Sequence, residues 1–188
     1  NKIGNALEIE ETIDLLKGQG PADLLELVLT LGSYMAVMGG KATDSEQGRA
    51  KLLQTIEDGS ALAKFKQLVI DQGGDARVIE NYTVMPQAKY KIAYQAKRSG
   101  VLAKLTADEI GKAAMVLGRG RQQAEDQLDY AVGIELHKKL GDPVETGEPI
   151  LTIYSNQPEI QDALALLDDG IEISDQVEVP DLIHEVIE

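Results

Sequence analysis

Residues 24–38 constrain the fold more than any other stretch of the chain. Leu24, Leu25, Leu27, Val28, Leu29, Leu31, Tyr34, Met35, Val37 and Met38 are spread too evenly for a single stripe, and at 3.6 residues per turn they cover nearly the whole circumference of a helix. Pro21 and Asp23 suit its first turn, where a missing N–H costs nothing and a carboxylate meets the positive end of the dipole. Such a helix must be buried on most sides. Its sequence neighbours offer little to bury it. Ala6, Ile9, Ile13 and Leu16 make a short amphipathic helix with Asn5 as N-cap and Gly18 beyond its last turn. Ala50, Leu53 and Ile56 form one stripe in residues 44–57, and Leu62, Phe65 and Val69 another in residues 60–71. Residues 1–82 therefore read as part of a larger domain whose remaining elements lie outside the chain; a self-contained helical cluster or an oligomer is the alternative.

Composition narrows the function. Of 188 residues, 18 are Lys or Arg and 32 Asp or Glu, giving a net charge of −14, while 43% are hydrophobic. That hydrophobic content supports a core, and no apolar run reaches the roughly 20 residues needed to cross a bilayer. The negative field repels phosphate backbones, so neither nucleic acid nor a membrane is expected as a partner. The absence of cysteine excludes disulfides, thiolate nucleophiles and Cys-ligated zinc. No basic-then-apolar leader precedes the first helix, and a cytoplasmic location is expected. The chain begins at Asn1, without an initiator Met and inside a helix entry, and reads as a piece of something longer.

After Pro86 the period changes. Tyr90, Ile92, Tyr94 and Ala96 alternate with Lys89, Lys91 and Gln95, the pattern of a half-buried strand. Ser99-Gly100 turns into an apolar alternation of Val101, Ala103 and Leu105, and Thr106 caps a helix that carries Ile110, Ala113, Ala114 and Leu117 and ends at Gly118. Short strands are expected over residues 128–133, 135–139 and 150–154, a helix over 158–168, and an alternating tail over 171–187. The fold class is α+β, with a boundary between residues 82 and 83 and no internal repeat.

Most motifs fail on inspection. Gly118-Arg119-Gly120-Arg121 follows a helix rather than a strand and lacks the third glycine of a dinucleotide loop, and a helix C-terminus repels phosphate. The two arginines read either as partners of the terminal carbonyls in a solvated loop or as contacts to a ligand or neighbouring domain. His137 and His184 fall far apart on expected strands and read as packing or surface residues. The run Gly141-Asp142-Pro143-Val144-Glu145-Thr146-Gly147 is the way small biotinyl and lipoyl barrel-sandwich domains build a tight turn. The opposing turn, Lys97-Arg98-Ser99-Gly100, lacks an attachment-site lysine motif, so a stand-alone carrier or interaction module is kept only as the alternative function.

Several words taken together carry a resemblance. Gly4-Asn5-Ala6-Leu7-Glu8 followed by Glu11, Leu29-Thr30-Leu31-Gly32-Ser33, Asp108-Glu109-Ile110-Gly111, Leu117-Gly118-Arg119-Gly120-Arg121, Asp129-Tyr130-Ala131-Val132-Gly133 and Leu136-His137-Lys138-Lys139-Leu140-Gly141-Asp142 resemble, in the same order, the C-terminal portion of the pyrimidine-nucleoside and thymidine phosphorylases. The His-Lys-Lys form resembles the broad-specificity pyrimidine-nucleoside branch; an AMP phosphorylase or a strict thymidine phosphorylase is the alternative within the family.

The resemblance implies a pentosyltransferase that exchanges a pyrimidine base for phosphate, giving the free base and a pentose 1-phosphate. It also implies that the groups holding phosphate and stabilising the departing base lie in an N-terminal half absent here, so no catalytic residue is assigned and the chain alone is expected to be inactive. Residues 1–82 would be the closing helices of the α/β phosphate-binding domain, and residues 83–188 a C-terminal α/β hammerhead domain of barrel-sandwich type. A structural potassium or calcium ion is implied for the intact enzyme, with the Glu11 carboxylate and the Lys2 main-chain carbonyl among its ligands, and none for this chain alone. Arg119 and Arg121 become candidates for an interdomain loop. The implied partners are nucleoside, phosphate, the missing half of the chain and a second subunit in a homodimer.

Overall fold

The computed structural model describes residues 1–120 and 127–187. In chain order the elements are β1 (Lys2–Ile3), α1 (Asn5–Leu16), α2 (Ala22–Met38), α3 (Ser45–Glu57), α4 (Ser60–Asp71), 3-10 turns at Ala76–Ile79 and Tyr82–Val84, β2 (Tyr90–Gln95), β3 (Gly100–Leu105), α5 (Ala107–Ala114), a π-helical turn (Met115–Arg119), β4 (Gly133–Leu136), β5 (Pro143–Val144), β6 (Pro149–Ser155), α6 (Gln161–Gly170) and β7 (Ile171–Ser174). They form two compact units that do not follow a single cut of the chain. One comprises Asn1–Ile9 with Met85–Val179, the other Glu10–Val84 with the residues from Pro180 onward.

The helical unit is organised by the crossing of α2 and α3. Gly48 of α3 lies so close to α2 that a Cβ there would stand 2.7 Å from the Ser33 carbonyl oxygen, and Leu52 fills the space over Gly32. Small residues at the crossing let the two backbones approach, so dispersion contacts replace solvent along the seam. Ser33, 3% exposed, satisfies its hydroxyl on the Thr30 carbonyl at 2.7 Å. Arg49 of α3 grips Glu26 of α2 with two N–H···O bonds of 2.9 and 2.6 Å. This fork holds the Glu26 carboxyl below its usual range, although both side chains are exposed enough that it orients the helices more than it stabilises them. Asp44 caps α3 by accepting from the Gln47 N–H at 2.8 Å, while the Gln47 side chain reaches back to the Thr43 N–H at 3.0 Å.

A second tie fixes the irregular segment after α4. The Tyr82 hydroxyl donates to Asp14, and Lys17 lies over the Tyr82 ring while donating to the Ile79 carbonyl at 2.7 Å. Burial, with the Asp14 hydrogen bond second, pushes the Tyr82 phenol up. Val78 and Ile79 are thereby sunk into the unit at 6% and 2% exposure.

On α2 itself the expected burial is not met. Only Leu29 and Ser33 are buried, and Val28, Leu31, Met35 and Met38 stand exposed. The reason is the one anticipated from the sequence: α3 covers one side, and no other helix of the unit carries enough apolar surface for the rest.

The other unit is built on β6, whose Ile150, Leu151 and Ile153 are fully buried. A four-stranded antiparallel sheet runs β1-β4-β6-β2 and a three-stranded one β5-β3-β7. Their inner faces and the small-residue face of α5 (Ile110, Ala113, Ala114), together with Ala163 and Leu167 of α6, close one core. Tyr94 donates to Asp168 at 2.6 Å, and Lys97 binds the same oxygen at 2.6 Å. Lys97 foremost, then Tyr94, holds the Asp168 carboxyl below its usual range. The two turns singled out in the sequence do meet: the Gly147 N–H donates to the Ala96 carbonyl at 2.8 Å, the Ala96 N–H to the Glu148 carbonyl at 2.8 Å, and the Thr146 N–H to the Ser99 hydroxyl at 3.0 Å.

Several local expectations are corrected. Asn5 is the first residue of α1 rather than its cap. On β3 Leu102, at 0% exposure, is the fully buried residue and Leu105 packs partly buried against the same core, while Val101 and Ala103 are only half-buried; the pairing with β7 shifts register between Leu102 and Lys104, and the bulge brings Leu105 to the side of Leu102. Residues 128–132 are not a strand: Asp129 accepts the Ala131 N–H at 3.0 Å and turns the chain. β4 ends at Leu136, so His137 lies just beyond it, and the tail is a strand only over Ile171–Ser174, which leaves His184 in irregular chain. α6 begins at Gln161, later than expected, and runs through to Gly170.

Placing a methyl group in the α2–α3 crossing tests this account. Gly48→Ala should lower unfolding stability by about 1–3 kcal/mol, read by denaturant titration, whereas alanine at the exposed Glu57 should change it by less than about 0.5 kcal/mol.

Candidate functional site

Three of the sequence words come together at the start of α1, the first of them more than a hundred residues before the other two. β1 pairs with β4 in the register Lys2↔Glu135 and Ile3↔Ile134, which presses Gly4 against Gly133. A Cβ on Gly133 would stand 2.3 Å from the Ile3 carbonyl oxygen, and one on Gly4 2.7 Å from that of Val132. Only glycine fits on either side of this contact.

The first turn of a helix leaves backbone donors without intrahelical backbone partners, and here a neighbouring loop and a side chain of α1 itself supply acceptors. The Ala6 N–H donates to the Tyr130 carbonyl at 3.1 Å, and the Gly4 N–H to the Glu8 carboxylate at 3.1 Å. The Asn5 side-chain amide donates to the Arg119 carbonyl at 3.4 Å. The Arg119 guanidinium in turn pairs with the same Glu8 oxygen. Beside it, Gly118 at φ 111° is a non-helical kink within the π-helical turn, and its carbonyl accepts the Asp129 N–H at 2.9 Å. Asp129 also accepts from the Asn156 amide at 2.6 Å.

Beside the junction is an open groove of about 440 Å³ lined by Asn5, Asp108, Gly111, Lys112, Met115 and Arg119. Lys112 bridges Asp108 at 2.7 Å and Glu109 at 3.0 Å, and the hydrogen bond to Asp108 is the main cause of its raised pKa. Both cations of the groove thus already hold carboxylates. Among the described residues the groove brings together no nucleophile with a base beside it; what the arrangement does is hold Arg119 in place.

Of the residues anticipated from the sequence, Arg119 is placed here through its own carbonyl and guanidinium. Arg121 lies outside the described residues. Lys2 is in β1, where the Leu136 N–H takes the Asn1 carbonyl at 2.8 Å, so the alternation of the ladder turns the Lys2 carbonyl away from β4. Glu11 is on α1, within the helical unit. Among the described residues no group of three or more His, Asp or Glu side chains is gathered as a metal ion would require. One carboxylate and one carbonyl fall short of the roughly six oxygens that calcium takes, so the residues present do not by themselves fit the cation. His137 Nε2 lies 2.7 Å from the Thr152 hydroxyl. Of the two residues that hold the junction from below, Asp129 opens one of the family words but falls there within an expected strand, and Asn156 carries no sequence signal of its own.

The junction separates two kinds of substitution. Gly133→Ala should cost about 1–3 kcal/mol or more of stability, because backbone must move to admit the methyl group. Glu8→Ala should cost under about 1 kcal/mol, since its ion pair is part-exposed, yet speed amide hydrogen exchange at Gly4 and around Arg119, read site by site.

Among the described residues, no helix is long and apolar enough to cross a membrane. Residues 101–174 match the family model described as pyrimidine nucleoside phosphorylase C-terminal domain. Pyrimidine-nucleoside phosphorylases of Staphylococcus aureus, among them those of strains bovine RF122 / ET3-1, USA300 and N315, are 53% identical over 185 residues. The match takes in 98% of this chain and 43% of each relative, so the chain spans less than half the length of these relatives and corresponds to their C-terminal part. Through that match the chain belongs to the pyrimidine-nucleoside phosphorylase family.

Proposed function

We propose that this chain is the C-terminal portion of an enzyme that reversibly cleaves pyrimidine nucleosides with phosphate, and that it positions catalytic groups without supplying them. The observation that carries the reading is 53% identity along 98% of the chain to proteins named for that activity. The junction supports it as well, because the words shared with the family are the ones that bond to each other at Gly4, Glu8, Arg119 and Gly133.

Phosphorolysis needs donors that hold phosphate in line with the glycosidic carbon and groups that take the charge of the leaving base. In this reading those groups belong to the rest of the enzyme. Within residues 1–82, α2, α3 and α4 supply closing helices of its α/β domain, while residues 83–188, joined by β1 from the start of the chain, make a C-terminal hammerhead domain of barrel-sandwich type, a description supported by the two antiparallel sheets and the bonded turns at Ser99 and Thr146. Arg119, anchored by Glu8, sets the course of a loop that with Arg121 reaches the opposite lobe when the cleft closes and excludes water. The Glu11 carboxylate and the Lys2 carbonyl contribute two oxygens to a potassium or calcium site whose other ligands lie elsewhere in the enzyme. The enzyme acts in the cytoplasm as a homodimer.

Two measurements test this. The purified 188-residue chain should release no base from uridine or thymidine with phosphate and show no specific potassium or calcium binding by calorimetry; turnover, or a tight cation, would overturn the assignment of roles. In the intact enzyme, replacing Arg119 and Arg121 together by alanine should lower kcat by about tenfold or more and leave phosphate affinity in the free enzyme nearly unchanged. A wild-type kcat would make the loop a solvated helix terminus.

A further inference from the structure

The exposed side of α2 has a regularity that its overall hydrophobicity hides. Leu24, Val28, Leu31, Met35 and Met38 recur at intervals of four, three, four and three residues, the spacing that keeps one narrow seam aligned along a helix. Four of them stand in solvent: Val28 at 39%, Leu31 at 58%, Met35 at 67% and Met38 at 80%. The opposite side of the helix is already occupied, with Ser33 against Gly48 and Gly32 against Leu52 of α3. The polar groups near the start of α2 are engaged away from the seam, Glu26 by Arg49 and by the Thr30 hydroxyl. What remains is an uncharged strip of flexible thioethers and aliphatic groups, the chemistry of a packed interior.

We infer that this strip is an intramolecular seam: in the longer protein, Val28, Leu31, Met35 and Met38 are buried against an apolar face of the polypeptide that precedes the present chain. The inference rests on the family reading of the preceding subsection and adds to it the surface through which the two portions join. Two observations favour this occupant over a second copy of the chain. The curated relatives are more than twice as long as the matched region, which is 43% of their length, so a covering segment is available on the same polypeptide at high effective concentration. A second copy would bring a net charge of −14 against −14. A strip of a few hundred Å² on each side would also bury well short of the roughly 1,200 Å² that marks a specific dimer.

The absence of cysteine makes the test direct, because an introduced thiol is the only one in the 188-residue chain and is followed in the longer protein by peptide mapping. Leu31→Cys and Met35→Cys should react freely with a maleimide in the 188-residue chain and at least roughly tenfold more slowly in the longer protein, whereas Lys64→Cys on α4 should react at similar rates in both. Met35→Lys should leave the melting temperature of the short chain unchanged and lower that of the longer protein by several degrees, about what a buried charge imposes. Equal labelling of positions 31 and 35 in the two proteins overturns the seam. So does protection in the short chain that grows with concentration alongside a doubled mass in light scattering, which would assign the strip to a second copy. Phosphorolysis by the longer protein is measured separately: protection without activity refutes the functional reading and leaves the seam standing, and activity without protection does the reverse.

Discussion

The contact between Gly4 and Gly133 is the constraint on which the junction depends. Two backbones meet there with no side chain between them, and the approach is possible only because β1 adds to the free edge of β4. Once β1 is paired, the first turn of α1 is presented to residues 118–133, and the donors that a helix leaves open at its start find the Tyr130 carbonyl and the Glu8 carboxylate instead of water. A larger residue at either glycine would force the strand off the sheet edge. The helix start, the Arg119 pair and the Asp129 turn would then lose their common frame.

Electrostatics in the sheet-containing unit is local, in a chain whose overall balance is strongly acidic. Arg119 meets Glu8, Lys112 meets Asp108 and Glu109, Lys97 meets Asp168, and Lys138 meets Glu148. Each pair is part-exposed and contributes modestly to stability, but each fixes the direction of a side chain. In a protein of net charge −14, placing the few cations against specific carboxylates ties loops to the core without adding hydrophobic surface.

The helical unit illustrates a different balance. Its internal order comes from close backbone approach at Gly48 and from the tie of Tyr82 and Lys17 to α1 and the segment after α4, rather than from a large apolar interior. In α4 no residue is fully buried, and in α2 only two are. Such a unit is held by a few specific contacts, and the apolar surface of α2 is in excess of what those contacts require.

The sequence by itself determined the helices, because their periodicity, their caps and the glycines beyond their ends are local properties: α2, α3 and α4 begin and end within two residues of where spacing and capping put them. It also determined the inward face of β2 through strict alternation, and the mixed α+β class. The family words were legible too, although as words in a line rather than as neighbours. Tertiary structure alone decided that Gly4 meets the segment from Arg119 to Asp129, since partners more than a hundred residues apart leave no local trace. It decided the inward residue of β3, because a bulge is set by the pairing with β7 rather than by the strand's own pattern. It ended the C-terminal strand at Ser174, the last residue to pair with β3, although the alternation of the sequence continues: a strand exists only as far as another strand accepts its hydrogen bonds.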